Sequence, residues 1–131
     1  MQPRSLLVIL DNVLTATADQ AIELLGQVHD VSGVLGALLV SDDGELFAHT
    51  FSGLHASSAE DAARRLPVLL EALAAGRSID SYTLRFPEHR LHVRRLEGGF
   101  LGIMTELNCN TALLKMTLNV TGKRVACLLP H

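Results

Sequence analysis

The sequence predicts an α+β fold: a single five-stranded antiparallel sheet flanked by helices, in the order α-β-β-α-β-β-β-α. Three observations carry this expectation. Two stretches, Gly33 to Val40 and Phe100 to Thr105, are apolar almost throughout, as strands buried on both faces must be. Three further short runs combine strand composition with turn residues at their ends. Three other segments space their apolar residues three and four apart, the period of a helix with one buried face.

The bulk composition is compatible with one such domain. The chain has 131 residues, of which 48% are hydrophobic and 19% charged, enough to bury a core without disulfides or metals. Residues 1–131 are therefore read as one domain. A formal net charge of -3 gives no overall positive field for a polyanion, so nucleic acid is not an expected partner. Apolar runs stay far below the ~20 residues that span a bilayer, so no membrane insertion is expected. Arg4 precedes an apolar run that Asp11 cuts short of a signal peptide's core, and the expected location is the cytoplasm. The two cysteines, Cys109 and Cys127, would lie about 27 Å apart along one helix axis, beyond any bridge.

The elements follow in order. Leu6, Leu10, Val13 and Leu14 keep helical spacing, although Leu6 to Leu10 reads equally as a short buried strand; helix is the preferred reading. Thr17 to Val28 is an amphipathic helix, with Thr17 and Gln20 as a capping box and Ile22, Leu25 and Val28 as its stripe. Gly33 to Val40 is a central strand, and Asp42-Asp43-Gly44 supplies residues that tolerate positive φ, so Glu45 to Phe51 folds back on it. Ser57 or Ser58 caps a second helix, with Ala63, Leu66, Leu70 and Leu73 as its apolar stripe and Gly76 as its stop. Pro67 predicts a kink or a break around Ala63 to Pro67. Ser81 to Phe86 and His89 to Leu96 are strands joined at Pro87-Glu88, and Phe100 to Thr105 is the second central strand. Asn108 or Asn110 caps the last helix, whose stripe is Leu114, Leu118, Thr121, Val125 and Leu128; Gly122 weakens it locally and Pro130 ends it.

Candidate chemistry is sparse. Gly122-Lys123 is followed by Arg124, and Thr117 stands where a phosphate loop has its first glycine. His89 and His92 are an odd number apart on a strand, hence on opposite faces and unable to share a metal; both read as surface residues. His49 and His55 offer an acid/base pair if a carboxylate joins them, against the plainer reading of solvated loop residues. Asp42 and Asp43 are accounted for by the turn. Cys109 near a helix N-terminus is a candidate nucleophile only if its thiolate is stabilised. Arg85, Arg90, Arg94 and Arg95, with His92 among them, predict a basic stripe on one side of the sheet, either solvated surface or a contact for an acidic partner. No convergent catalytic set emerges, so an interaction module is the favoured class, with no catalytic, cofactor or metal residue assigned.

The order Val31-Ser32-Gly33-Val34-Leu35-Gly36-Ala37-Leu38-Leu39-Val40-Ser41-Asp42-Asp43-Gly44-Glu45-Leu46-Phe47-Ala48 resembles the first hairpin of the Roadblock/LC7 family of small regulatory proteins. Gly99 to Thr105, followed by Asn110-Thr111-Ala112-Leu113-Leu114-Lys115, resembles its last strand and the opening of its last helix. The likeness runs from about Ala18 to Leu128. Met1 to Ala16 stands before it as an N-terminal extension, and Pro67 departs from it. The resemblance implies a profilin-like or longin-like sandwich and a homodimer in which Ser81 to Phe86 pairs with its twin while the second helices pack side by side. The implied interface residues are Leu66, Leu69, Leu73, Ser81, Tyr82, Thr83, Leu84 and Arg85. It further implies a non-enzymatic scaffold that binds and regulates a small Ras-like GTPase. Two other readings stand beside it: a ligand-sensing domain of similar architecture, and a small hydrolase or redox enzyme using His49, His55 or Cys109.

Overall fold

A computed structural model describes residues 18–51, 55–77 and 79–129, with only the backbone of 55–60. Met1 to Ala16, the Thr17 cap, the side chains of His55, Ser57 and Ser58, and Pro130 lie outside the described residues. Helix α1, over residues 18–26, tightens into a 3-10 turn at Gln27–Asp30. There follow β1 (Val34–Ser41), β2 (Leu46–His49), α2 (His55–Ala74), β3 (Ser81–Arg85), β4 (His89–Leu96), β5 (Gly99–Glu106) and α3 (Thr111–Ala126). The five strands form one sheet in the order β2-β1-β5-β4-β3, antiparallel throughout.

Both stretches expected at the centre of the sheet are there. Gly36 to Val40 of β1 are buried without interruption, as are Gly99 to Ile103 of β5. Alternate residues serve opposite layers. Ala37, Leu39, Leu101 and Ile103 face a cluster completed by Ala21, Leu25 and Val28 of the first helical segment and by Leu114, Leu118 and Val125 of α3. Leu38, Val40, Leu91, Val93 and Phe100 face the other way, against Ala63, Leu66 and Leu70 of α2.

Several boundaries and stripes differ from the sequence-based expectation. β2 has four residues: the ladder shifts register between Leu39 and Val40, and at Thr50, whose amide still donates to the Ala37 carbonyl at 2.9 Å, the side-chain hydroxyl rather than the carbonyl accepts from the Ala37 amide at 2.9 Å. Ile22 is exposed while Ala21 is buried; the inward stripe starts one residue earlier, with the small side chain nearest the sheet. Leu73 is also exposed, although it lies within about 20° of arc of the buried Leu66; it stands near the end of α2, past the last buried residue, Leu70. Asn110 is the cap of α3, its side chain accepting from the Leu113 amide at 3.1 Å. That helix ends at Ala126, so Leu129 rather than Leu128 is the residue buried beyond it.

Pro67 lies inside α2 without breaking it into two helices. Its ring removes the amide that would bond the Ala63 carbonyl. The buried Gly44 of the first hairpin packs on this turn of the helix: a Cβ built there would stand 3.3 Å from the Ala63 oxygen, and φ is +84°. Burial of Ala63, Leu66 and Leu70 around the proline offsets its cost. Gly122, expected only to weaken α3, is buried where the helix approaches β4; a Cβ would meet Leu96 at 3.2 Å and Arg94 at 3.3 Å.

Two strand glycines differ in how they tolerate a side chain. At Gly99 an added Cβ would collide with the Val40 carbonyl oxygen, a backbone atom of the neighbouring strand. At Gly36 the nearest atoms it would meet belong to the Phe51 ring, a side chain that can turn. Gly99→Ala is therefore expected to cost about 2 kcal/mol or more and Gly36→Ala clearly less, as read from urea unfolding midpoints. Equal costs would show that the β1–β5 contact has room to give.

Candidate functional site

Unpaired backbone marks the candidate site. In a sheet ordered β2-β1-β5-β4-β3 the margins are β2 and β3, and they differ. β2 is short and meets a register shift, two devices that blunt an edge. β3 pairs with β4 through an unbroken ladder from Ser81↔Arg94 to Arg85↔Arg90, and it contains neither proline nor bulge.

The ladder's phase shows which groups of β3 are free. Phe86 donates its amide to the His89 carbonyl at 2.9 Å, and Arg95 donates to the Asp80 carbonyl at 2.7 Å. In an antiparallel pair the residues that exchange bonds alternate, so Tyr82 and Leu84 also turn their backbone groups to β4. Ser81, Thr83 and Arg85 then direct N–H and C=O away from the sheet.

Side chains of the same strand divide oppositely between the layers. Tyr82 and Leu84 pack against the α2 cluster, and the Tyr82 hydroxyl donates to the Leu70 carbonyl at 3.2 Å. This bond ties the second half of α2 to the edge strand. Within one turn of Leu70 stand Leu69 and Leu73, 42% and 46% exposed. Leu66, by contrast, is buried beneath the helix at 3% exposure; it belongs to the core. Of the interface residues expected from sequence, Leu69 and Leu73 are thus exposed on the helix that Tyr82 ties to the edge strand, and Leu66 lies inside.

On the other face of the sheet, Ser81, Thr83 and Arg85 stand opposite Arg94, His92 and Arg90. The expected basic stripe is therefore Arg85, Arg90 and Arg94. Arg95 falls on the α2 side, with its guanidinium 5.9 Å from the centre of the Phe100 ring. His92, expected at the surface, is buried at 7% exposure. Its ring bridges the Thr83 hydroxyl at Nδ1 and the Thr105 hydroxyl at Nε2, each at 3.3 Å. The available signal was its place in Leu91-His92-Val93, a run buried on both faces in an inner strand.

No acid/base or nucleophilic constellation forms among the described residues. His49 accepts the Phe51 amide at 3.2 Å, and His29 bonds the Thr50 hydroxyl at 2.8 Å, so both rings are engaged at the end of β2. Burial, and then the Glu106 carboxylate, push the Cys109 thiol up from its ordinary value. That keeps it protonated, the opposite of an activated nucleophile. Among the described residues no cluster of three metal-ligating side chains occurs, and no helix is long and apolar enough to cross a membrane.

Burial lowers the pKa of His92 below its ordinary 6.5, and Arg90 and Lys115 lower it further. The unfolded chain therefore takes up this proton before the folded one. Stability is full above about pH 6.5 and declines as pH falls from there toward the folded-state value. Urea midpoints measured between about pH 7.5 and about pH 5.5 should show this decline, and His92→Gln should flatten it. An unchanged slope in the variant would assign the effect elsewhere.

No family model and no curated protein sequence matches the chain. Solved structures do. The gliding protein MglB of Thermus thermophilus superposes with a TM-score of 0.73 at 18% identity, over 86% of this chain and 90% of that one. A Roadblock/LC7 domain from Streptomyces avermitilis gives 0.69 at 18% identity, over 79% and 92%. MglC from Myxococcus xanthus gives 0.61 at 18% identity, over 86% and 99%. At this identity the likeness speaks for architecture, which agrees with the one that the hairpin and last-strand residues implied: the chain has the fold of a Roadblock/LC7 domain.

Proposed function

We propose that this chain is a non-enzymatic homodimeric scaffold that binds and regulates a small Ras-like GTPase, and that it works in the cytoplasm. The observation that carries the dimer is the free margin of β3. Ser81, Thr83 and Arg85 direct backbone donors and acceptors outward, and Leu69 and Leu73 are exposed on the helix bonded to that strand through Tyr82. A twin strand laid antiparallel about Thr83 pairs Thr83 with Thr83 and Ser81 with Arg85, which satisfies those groups on both copies. Leu69 and Leu73 then leave water in the same event.

The GTPase reading rests on the Roadblock/LC7 fold together with the lack of a catalytic constellation among the described residues. Such a dimer acts by holding the GTPase and positioning the GTPase's own residues. No arginine of this chain is assigned as a finger.

Thr83→Pro removes an outward amide while leaving the β3–β4 ladder its own bonds. Two central bonds are lost per dimer, each worth about 1 kcal/mol, so the dissociation constant should rise about 30-fold. Leu73→Glu leaves the strand untouched and should also shift the protein toward monomer. Sedimentation velocity reads both, and a wild-type chain that stays monomeric at high concentration would contradict the dimer.

For the partner, the purified chain is mixed with small GTPases from the same genome, loaded with GDP or a GTP analogue. Complex formation that depends on the nucleotide, together with a changed hydrolysis rate, is the expected result. If no GTPase binds and no rate changes, the regulatory reading fails.

A further inference from the structure

Helix α3 has no acidic residue; its charges are Lys115, Lys123 and Arg124. Leu114, Leu118, Thr121 and Val125 form its buried stripe. At about 100° per residue, Met116 projects almost directly away from that stripe, and Leu113, Val120 and Lys123 fall within about 80° of arc on the same outward side. Met116 is 66% exposed, Val120 51% and Leu113 45%. Three large apolar side chains thus form a ridge on the outside of the molecule, and a contiguous exposed apolar feature of this kind marks an interaction surface.

Positive charge continues from the helix onto the sheet. Arg85 and Arg90 face one another across β3 and β4, with Arg94 on the same face. Lys115 of α3 adds to the positive field that Arg90 exerts on His92. Among the described residues, the ion pairs are those of Asp61 with Arg64 and Arg65, on α2. Arg85, Arg90, Arg94, Lys115, Lys123 and Arg124 enter none of them. Arg124 instead donates to the Gln27 side chain at 3.2 Å. Asp19, Glu23 and Asp30 of this layer belong to α1 and its 3-10 turn, Glu106 stands near Cys109 ahead of α3, and Asp30 lines the groove beside the ridge.

We propose that the outward face of α3, with the adjoining Arg85–Arg90–Arg94 face of the sheet, adsorbs to an anionic phospholipid surface. Met116, Val120 and Leu113 enter the boundary between headgroups and acyl chains while the lysines and arginines stay among the phosphates. Apolar side chains flanked by cations, with no acid on the helix, have the composition of elements that lie in a membrane interface, and anionic headgroups supply the charge that these cations lack.

The test is co-sedimentation of the full chain with vesicles of phosphatidylcholine alone or of phosphatidylcholine and phosphatidylserine in equal parts, at low and at high salt. Binding is expected to the mixed vesicles only, and to fall as salt rises. Lys123→Gln should weaken it about fivefold, and Met116→Ser should weaken it at unchanged net charge. Arg64→Gln, on the opposite layer, should leave it unaltered. Both exposed positions lie off the core, and circular dichroism melting checks that the variants fold. The proposal is overturned by equal binding to both vesicle types, by Arg64→Gln costing as much as Lys123→Gln, or by Met116→Ser costing nothing. Absence from the mixed vesicles with retention on immobilised poly-glutamate would overturn it in favour of an acidic polypeptide.

Discussion

Two neighbouring strands that are apolar on both faces impose the plan of this molecule. β1 and β5 bury side chains on each side of the sheet, so neither face can be left to water. The hydrophobic effect then requires a helical layer above and another below. One layer is α2; the other is α1 with α3. Gly99 and Gly44 matter because they let backbone approach backbone at the places where this arrangement is tightest.

With both faces covered, the edges become the open question, and the two edges are treated differently. At β2 the chain shortens the strand, shifts its register and lets the Thr50 hydroxyl take the Ala37 amide in place of a backbone carbonyl. At β3 no such device appears. The strand is instead stiffened from both layers: Tyr82 bonds the α2 backbone on one side, and on the other Thr83 bonds His92, which also bonds Thr105 in β5. A margin held this firmly loses little conformational freedom when it acquires a partner strand, and pre-organisation of that kind lowers the cost of association.

Most of this plan was legible in the sequence because it depends on periods and turns. The apolar runs of β1 and β5, the Asp42-Asp43-Gly44 reversal and the spacing in α3 from Leu114 to Val125 are local signals, and each fell where expected. What escaped depends on neighbours distant in the chain. Leu66 and Leu73 have the same residue type and sit on one helix, yet one is core and the other exposed, a difference set by where the sheet below α2 ends. His92 looked like a surface histidine until its strand proved to be an inner one. The four arginines read as a single stripe, but strand alternation sends Arg95 to the other layer. Pro67 argued for a break that the packing of the hairpin turn and the burial around it override.

Strand alternation also separates two kinds of surface across the thickness of the sheet. Leu69 and Leu73 belong to the α2 layer, while Met116, Val120 and the arginines of β3 and β4 belong to the α3 layer. A twin added along β3 extends both layers at once without exchanging them, because antiparallel neighbours keep paired side chains on one face. Arg85 of one copy then follows Ser81 of the other, so the row from Arg94 through Ser81 is continued by Arg85 and Arg90 of the twin. The cations of two chains become one band, and two ridges face the same way. Two weak adsorbing surfaces held at fixed separation bind far more tightly than either alone, so edge pairing and adsorption would reinforce one another. The α2 layer, on the far side, keeps its surface beyond Leu69 and Leu73 for a protein partner.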